Sequence, residues 1–151
     1  MNNNDMNNNE LKILFLTPYF RPYLGGIERA IEQLAYYLMN QPDISQIAVL
    51  TTKYSFPRIP HPEWPDREVT LEGLSILRLK GFPRKPPPIY SCPLVWFSPS
   101  KMKRYITEFD PDIIHFVGDG WFWGHIWAWL FRHNKAIFIF TPSYHPLPRA
   151  K

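Results

Sequence analysis

The chain of 151 residues has one cysteine, Cys92. An intrachain disulfide is therefore excluded, and so is a zinc site assembled from cysteines. A single thiol fits a reducing, cytoplasmic setting. The fingerprint G-x-G-x-x-G is absent after the first apolar run, which removes the pyrophosphate turn that an NAD-binding domain needs. G-x-S-x-G is absent as well, so covalent acyl transfer has no support and no nucleophile, base and orienter can be picked out as a triad. No apolar run reaches the roughly 18 residues that cross a bilayer. The nearest is Trp121 to Phe131, WFWGHIWAWLF, with Asp119 before it and Arg132 after it, and a buried or interfacial helix is expected there. The first residues, MNNNDMNNNE, lack the basic start and apolar stretch of a signal peptide. Residues 1–10 are expected to be a disordered Asn-rich leader, and residues 11–151 one domain.

Against these absences stands a slight basic excess, 17 Lys and Arg to 13 Asp and Glu, giving +4. The basic residues are scattered apart from Arg84-Lys85 and the group Lys101, Lys103, Arg104. Solvated surface is the simplest reading, and attraction to anionic lipid or to a diphosphate is the alternative. No nucleic-acid partner is expected.

The chain is organised around Lys12 to Met39, KILFLTPYFRPYLGGIERAIEQLAYYLM. Ile13 to Leu16 is an uninterrupted apolar run of the kind a strand buried on both faces shows. Ile27, Ala30, Ile31, Leu34, Ala35 and Leu38 then recur at helical spacing. Between them a loop ends in Gly25-Gly26 at the helix mouth. Free backbone N–H groups and the positive end of the helix dipole can receive an anion there, and a glycine lets it approach. A plain tight turn is the other reading of the same pair.

Further along, Ile47 to Thr51 reads as a second strand, and the proline-dense Lys53 to Arg67 as a surface loop. Val69 to Leu71 and Leu74 to Leu79 flank Glu72-Gly73 as a small hairpin leading into a third sheet strand. Phe82 to Pro93, with its five prolines, cannot be helical throughout. A helix capped by Ser98 or Ser100 runs to about Phe109, with Met102, Tyr105, Ile106 and Phe109 on one side. Asp110-Pro111-Asp112 stops it, Ile113 to Val117 is the fourth strand, Gly118-Asp119-Gly120 turns the chain, and Ala136 to Thr141 is the fifth strand. This alternation predicts an α/β fold, a doubly wound parallel sheet with helices on both faces.

In such a sheet ligands bind beyond the carboxyl ends of the strands. That rule selects Gly25, Gly26, Asp119, Ser143, Tyr144 and His145. His145 can orient or polarise a sugar hydroxyl or a phosphate, or be a surface histidine before Pro146. Asp119 can accept from sugar hydroxyls or simply occupy a turn. Asp110 and Asp112 resemble a metal-holding D-x-D pair, but they precede strand four at the opposite rim, so no metal site is expected. Glu28 is explained by the helix dipole. His115 is expected as a hydrogen-bonded core residue, and His61, His125 and His133 as structural or solvated.

A first strand ending in T-P, a loop closing on G-G-I-E-R-A, a P-D-I-I-H strand start and an apolar strand ending in T-P-S-Y-H together resemble the N-terminal half of family-four GT-B glycosyltransferases. The likeness runs from Lys12 to the end of the chain. It implies a Rossmann-like acceptor-side domain in a retaining transfer of sugar from a nucleotide-sugar donor to a glycan or lipid-linked acceptor, without an obligatory metal or other cofactor. By the same likeness Gly25 and Gly26 approach the donor diphosphate and His145 sits by the reacting sugar, with Ser143 where many members have a histidine. Asp119, Ser143 and Tyr144 are then acceptor or sugar contacts. The family's paired glutamates, separated by seven intervening residues in the nucleotide-sugar domain, are absent. The expectation is a partial enzyme, inactive without a C-terminal donor-binding domain that is either separately encoded or lost from the gene. A non-catalytic binding module, and a peripheral membrane module using the Trp-rich segment, are the competing readings.

Overall fold

The computed structural model describes residues 10–55, 59–84, 94–96, 99–118 and 135–142. Strand β1 (Leu11–Leu16) leads through a loop to helix α1 (Gly26–Met39) and strand β2 (Ile44–Thr52). Two short strands follow, β3 (Tyr54–Ser55) and β4 (Ile59–Pro60), then β5 (Arg67–Val69) and β6 (Ser75–Leu79). After β7 (Phe82–Arg84) and β8 (Leu94–Trp96) come helix α2 (Pro99–Phe109), β9 (Ile113–Gly118) and β10 (Ile137–Pro142).

The main sheet has the order β10-β9-β1-β2-β6-β5. β1 pairs in parallel with both β2 and β9, β9 with β10, and β2 with β6. Among the described strands of this sheet only the edge strand β5 runs antiparallel, joined to β6 by the expected hairpin, with Arg67 opposite Leu77 and Val69 opposite Ser75. Gly73 supplies the turn's left-handed residue at φ 94, a conformation costly for any side chain. The protein is thus α/β, with a mostly parallel sheet.

Each face of the sheet has its own core, because successive side chains of a strand point to opposite sides. Leu14, Leu16, Leu50 and Ile114 pack with Met102 and Ile106 of α2. Ile13, Phe15, Val49 and Ile76 pack with Ile31 and Ala35 of α1 on the other side. The continuous apolar runs of β1 and β2 reflect burial on both faces. α1 ends where Asn40 Nδ2 and Gln41 Nε2 donate to the carbonyls of Tyr36 and Tyr37, 2.7 and 3.2 Å away, satisfying acceptors that a helix end leaves open. α2 ends at Asp110, whose φ of 49 turns the chain before Pro111.

Two proline-dense segments carry more order than expected. β3 and β4 form an antiparallel pair within the Lys53 to Arg67 loop, and Phe82 and Arg84 pair with Trp96 and Leu94. Both are two-stranded ribbons, whose outer edges need no N–H donor, so prolines fit there. Residues 1–9 of the expected leader, the Trp-rich segment and residues 143–151 lie outside the described residues. No helix among the described residues is long and apolar enough to cross a membrane.

Candidate functional site at the carboxyl rim of the sheet

Strand order reverses between β1 and β9, so the crevice of interest lies above their carboxyl ends. The loop leaving β1 there is tied down from three directions. Thr17 N–H donates to Leu50 O at 3.1 Å, Thr52 Oγ1 to Pro18 O at 2.6 Å, and Arg78 Nη2 to Arg21 O at 2.9 Å. Tyr19 and Phe20 of this loop are buried. Across the reversal point, a Cβ on Gly118 at the end of β9 would stand 3.3 Å from Pro18 Cδ, so the two strand ends meet closely.

This anchored loop delivers Gly25 and Gly26 to the mouth of α1, where the structure separates them. Gly25 is the residue preceding the helix, at φ −81 and ψ −167, an extended conformation open to any residue. What it requires is space: a Cβ there would lie 2.6 Å from Glu28 Oε2. Gly26, the first helical residue, is exposed and has nothing within 4 Å of a Cβ position. Glu28 is 6% exposed, so its carboxylate is folded in against the helix mouth. A glutamate three residues beyond the capping position commonly reaches back in this way, and its charge suits the dipole. The Gly25 side of the mouth is therefore occupied by the protein's own carboxylate, while the Gly26 side faces outward.

Beside this mouth lies a cavity of about 410 Å³ whose walls include Arg21, Leu24, Trp64, Glu68 and Arg78. Arg78 is 2% exposed although it is a charged residue in a sheet strand. Its guanidinium donates to Arg21 O, to Pro65 O at 3.3 Å and to Glu68 Oε2 at 2.6 Å. Its Nε has no hydrogen-bond partner among the described residues. Arg21 pairs with Glu32 of α1, and that contact raises the guanidinium's affinity for its proton. One buried arginine thus ties β6, the β1–α1 loop and the loop after β4 together. Sequence reasoning missed it, although a charge inside the apolar run Ile76 to Leu79 was a visible signal.

The wall formed by Trp64 is itself braced. His61 stacks on the Trp64 ring with centroids 4.1 Å apart and planes 1° from parallel. The imidazole lies between Ser55 Oγ, 2.9 Å from Nε2, and Glu63 Oε1, 2.9 Å from Nδ1. A backbone hydrogen bond at Glu63, then the His61 contact, hold that carboxyl below the usual range. Serine, imidazole and carboxylate do therefore form a row, contrary to the sequence expectation that none exists. Ser55 is 8% exposed, and the row reads as a brace for the tryptophan.

Comparison of the chain with protein-family models, curated proteins and solved structures finds no match. Asp119, Ser143, Tyr144 and His145 lie outside the described residues. Asp112 sits at the amino rim, where its Oδ2 accepts the Lys12 N–H at 2.8 Å, while Asp110 is exposed. No cluster of three His, Cys, Asp or Glu suited to a metal occurs among the described residues. His115 is half-buried, within hydrogen-bond distance of Thr141 Oγ1 at 2.8 Å and tilted against Phe15, and burial pushes its imidazole below the usual histidine range. A second cavity, of about 390 Å³, lies between Met39, Gly73 and Tyr105, and it opens at the amino rim, away from the crevice.

Proposed function

We propose that this chain carries the acceptor-side domain of a retaining glycosyltransferase, a Rossmann-like N-terminal half of a GT-B fold, which acts together with a donor-binding domain. The observation that carries the reading is the placement of G-G-I-E-R-A. It closes the loop after the first parallel strand and opens a helix beside the strand-order reversal, with Gly26 exposed at the mouth. A donor diphosphate facing that mouth gains the helix dipole and free N–H donors. The order β6-β2-β1-β9-β10, with a helix on each face, is the one such domains use. His145 is proposed to act beside the reacting sugar, with Asp119, Ser143 and Tyr144 as acceptor or sugar contacts. No resident metal or organic cofactor is invoked.

A second reading, a binding module without transferase activity, is favoured by one specific feature. The buried Glu28 carboxylate adds negative charge where the diphosphate would approach. The test is reconstitution: the chain is mixed with a separately produced donor-binding domain of the same glycosyltransferase type and a labelled nucleotide sugar. Transfer in the mixture and in neither half alone is expected. Failure of every such pairing to transfer sugar, with both halves folded, would leave the binding module.

A further inference from the structure

We infer that the cavity walled by Arg21, Trp64, Glu68 and Arg78 seats the acceptor, and that the acceptor group it takes is a neutral polyhydroxyl, a sugar ring, not a phosphate or a uronic acid. The inference rests on the transferase reading for the word acceptor, while the ligand chemistry comes from the cavity itself. Two guanidiniums in one wall would ordinarily point to an anion. Here each already has a carboxylate, Glu32 for Arg21 and Glu68 for Arg78, so the pairs carry no net charge with which to hold another. What remains is hydrogen-bonding capacity of both kinds. Arg78 Nε–H is shielded from solvent and has no acceptor among the described residues. An atom so enclosed is out of a ligand's reach, although its resonance reports on the wall, and the donors a hydroxyl can meet are those of Arg21, whose Nε faces Glu32 and whose side chain is 34% exposed. Glu68, with 38% of its side chain exposed, keeps lone pairs that can accept from hydroxyls. Pro22, Leu24 and Pro65 add apolar wall suited to the C–H face of a ring.

Size and stiffness agree with this assignment. A volume of about 410 Å³ falls in the range of small-ligand pockets, and it admits a sugar ring without enclosing a long glycan. Trp64 cannot turn freely, because His61 stacks on it and is held in turn by Ser55 and Glu63, while the Arg78 guanidinium lies 5.8 Å from the ring centroid. A wall fixed before binding loses little freedom when a ligand arrives. The cavity also adjoins Leu24, next to the helix mouth, which places an acceptor hydroxyl near the proposed donor position.

The experiment follows the Trp64 indole N–H and the Arg78 Nε–H by NMR in the full chain, with both resonances assigned through Trp64→Phe and Arg78→Lys. The probes are methyl glycosides of glucose, galactose, mannose and N-acetylglucosamine, then glucuronate and inorganic phosphate. At least one neutral glycoside is expected to shift both resonances, and the anions to leave them in place. Glu68→Gln keeps an acceptor for Arg78 but weakens the acceptor offered to hydroxyls, and is expected to reduce glycoside affinity about tenfold. Silence of the whole glycoside panel in folded protein, or equal or tighter binding of phosphate or glucuronate, overturns the inference. Loss of this site with successful sugar transfer in the reconstituted enzyme would leave the transferase reading standing, so the two failures are distinguishable.

Discussion

Alanine at Gly25 and alanine at Gly26 should have opposite effects, although the residues are neighbours in one motif. At Gly25 the new methyl carbon would stand 2.6 Å from Glu28 Oε2, well inside contact distance. A carboxylate at the end of a flexible side chain can swing away cheaply when it is in water. Glu28 is only 6% exposed, so moving it breaks a buried arrangement and removes a favourable charge from the first turn of α1. Loss of a helix cap or of a charged hydrogen bond costs about 1–2 kcal/mol. For a chain of this length that lowers Tm by about 2–8 °C. At Gly26 nothing lies within 4 Å of the added carbon, and φ is outside the left-handed region. Alanine there reduces the freedom of the unfolded chain and suits the helix, raising stability by up to about 1 kcal/mol. Thermal unfolding of both single variants, and of Gly25→Ala combined with Glu28→Ala, measures this. The second substitution removes the clash, so the two should be non-additive. Equal effects of the two alanines, or strict additivity of the Gly25 and Glu28 changes, would refute the steric argument.

Arg78→Met keeps the aliphatic stem but strips two loop carbonyls and Glu68 of their donor. A loss of about 2–4 kcal/mol in urea unfolding is expected, with faster amide exchange in the β1–α1 loop. Burial favours neutral His115, so its folded pKa lies below the unfolded one and its contribution to stability is complete above the ordinary histidine range. That contribution falls as pH drops from the ordinary range through the lower folded value. Tm followed from neutrality to about pH 5 should decline, with a smaller slope in His115→Gln. Ile106→Ala opens a cavity under the α2 face of the sheet, where Ile106 is 1% exposed, and should cost about 2–5 kcal/mol without altering ligand binding at the carboxyl rim.

Much of the scaffold was legible because its causes are local. The apolar run Ile13 to Leu16, the helical spacing from Ile27 to Leu38, the Glu72-Gly73 turn and the Asp110-Pro111 stop each carry their own signal, and each element appears close to where it was expected. The two proline-dense segments were read as irregular because proline argues against a ladder, yet a two-stranded ribbon has outer edges that need no donor. The site was legible only in part. Gly25-Gly26 could be located, but sequence alone could not distinguish the member packed against Glu28 from the member facing outward. The cavity joins Arg21, Trp64, Glu68 and Arg78, which are up to 57 positions apart in the chain. No spacing rule connects them, and what brings them together is the parallel pairing of β2 with β6 and the folding of the β1–α1 loop onto that pair.

The most direct test of the account is the backbone amide of Gly26. In a ¹H–¹⁵N spectrum of the labelled chain mixed with an unlabelled donor-binding domain of the same glycosyltransferase type and titrated with a nucleoside diphosphate, the Gly26 and Ile27 amides should shift in a saturable way, while amides buried in β1 and β2 stay fixed. Unmoved Gly26 and Ile27 signals, in protein that is folded and responsive to its other ligands, would contradict the claim that this helix mouth receives the donor.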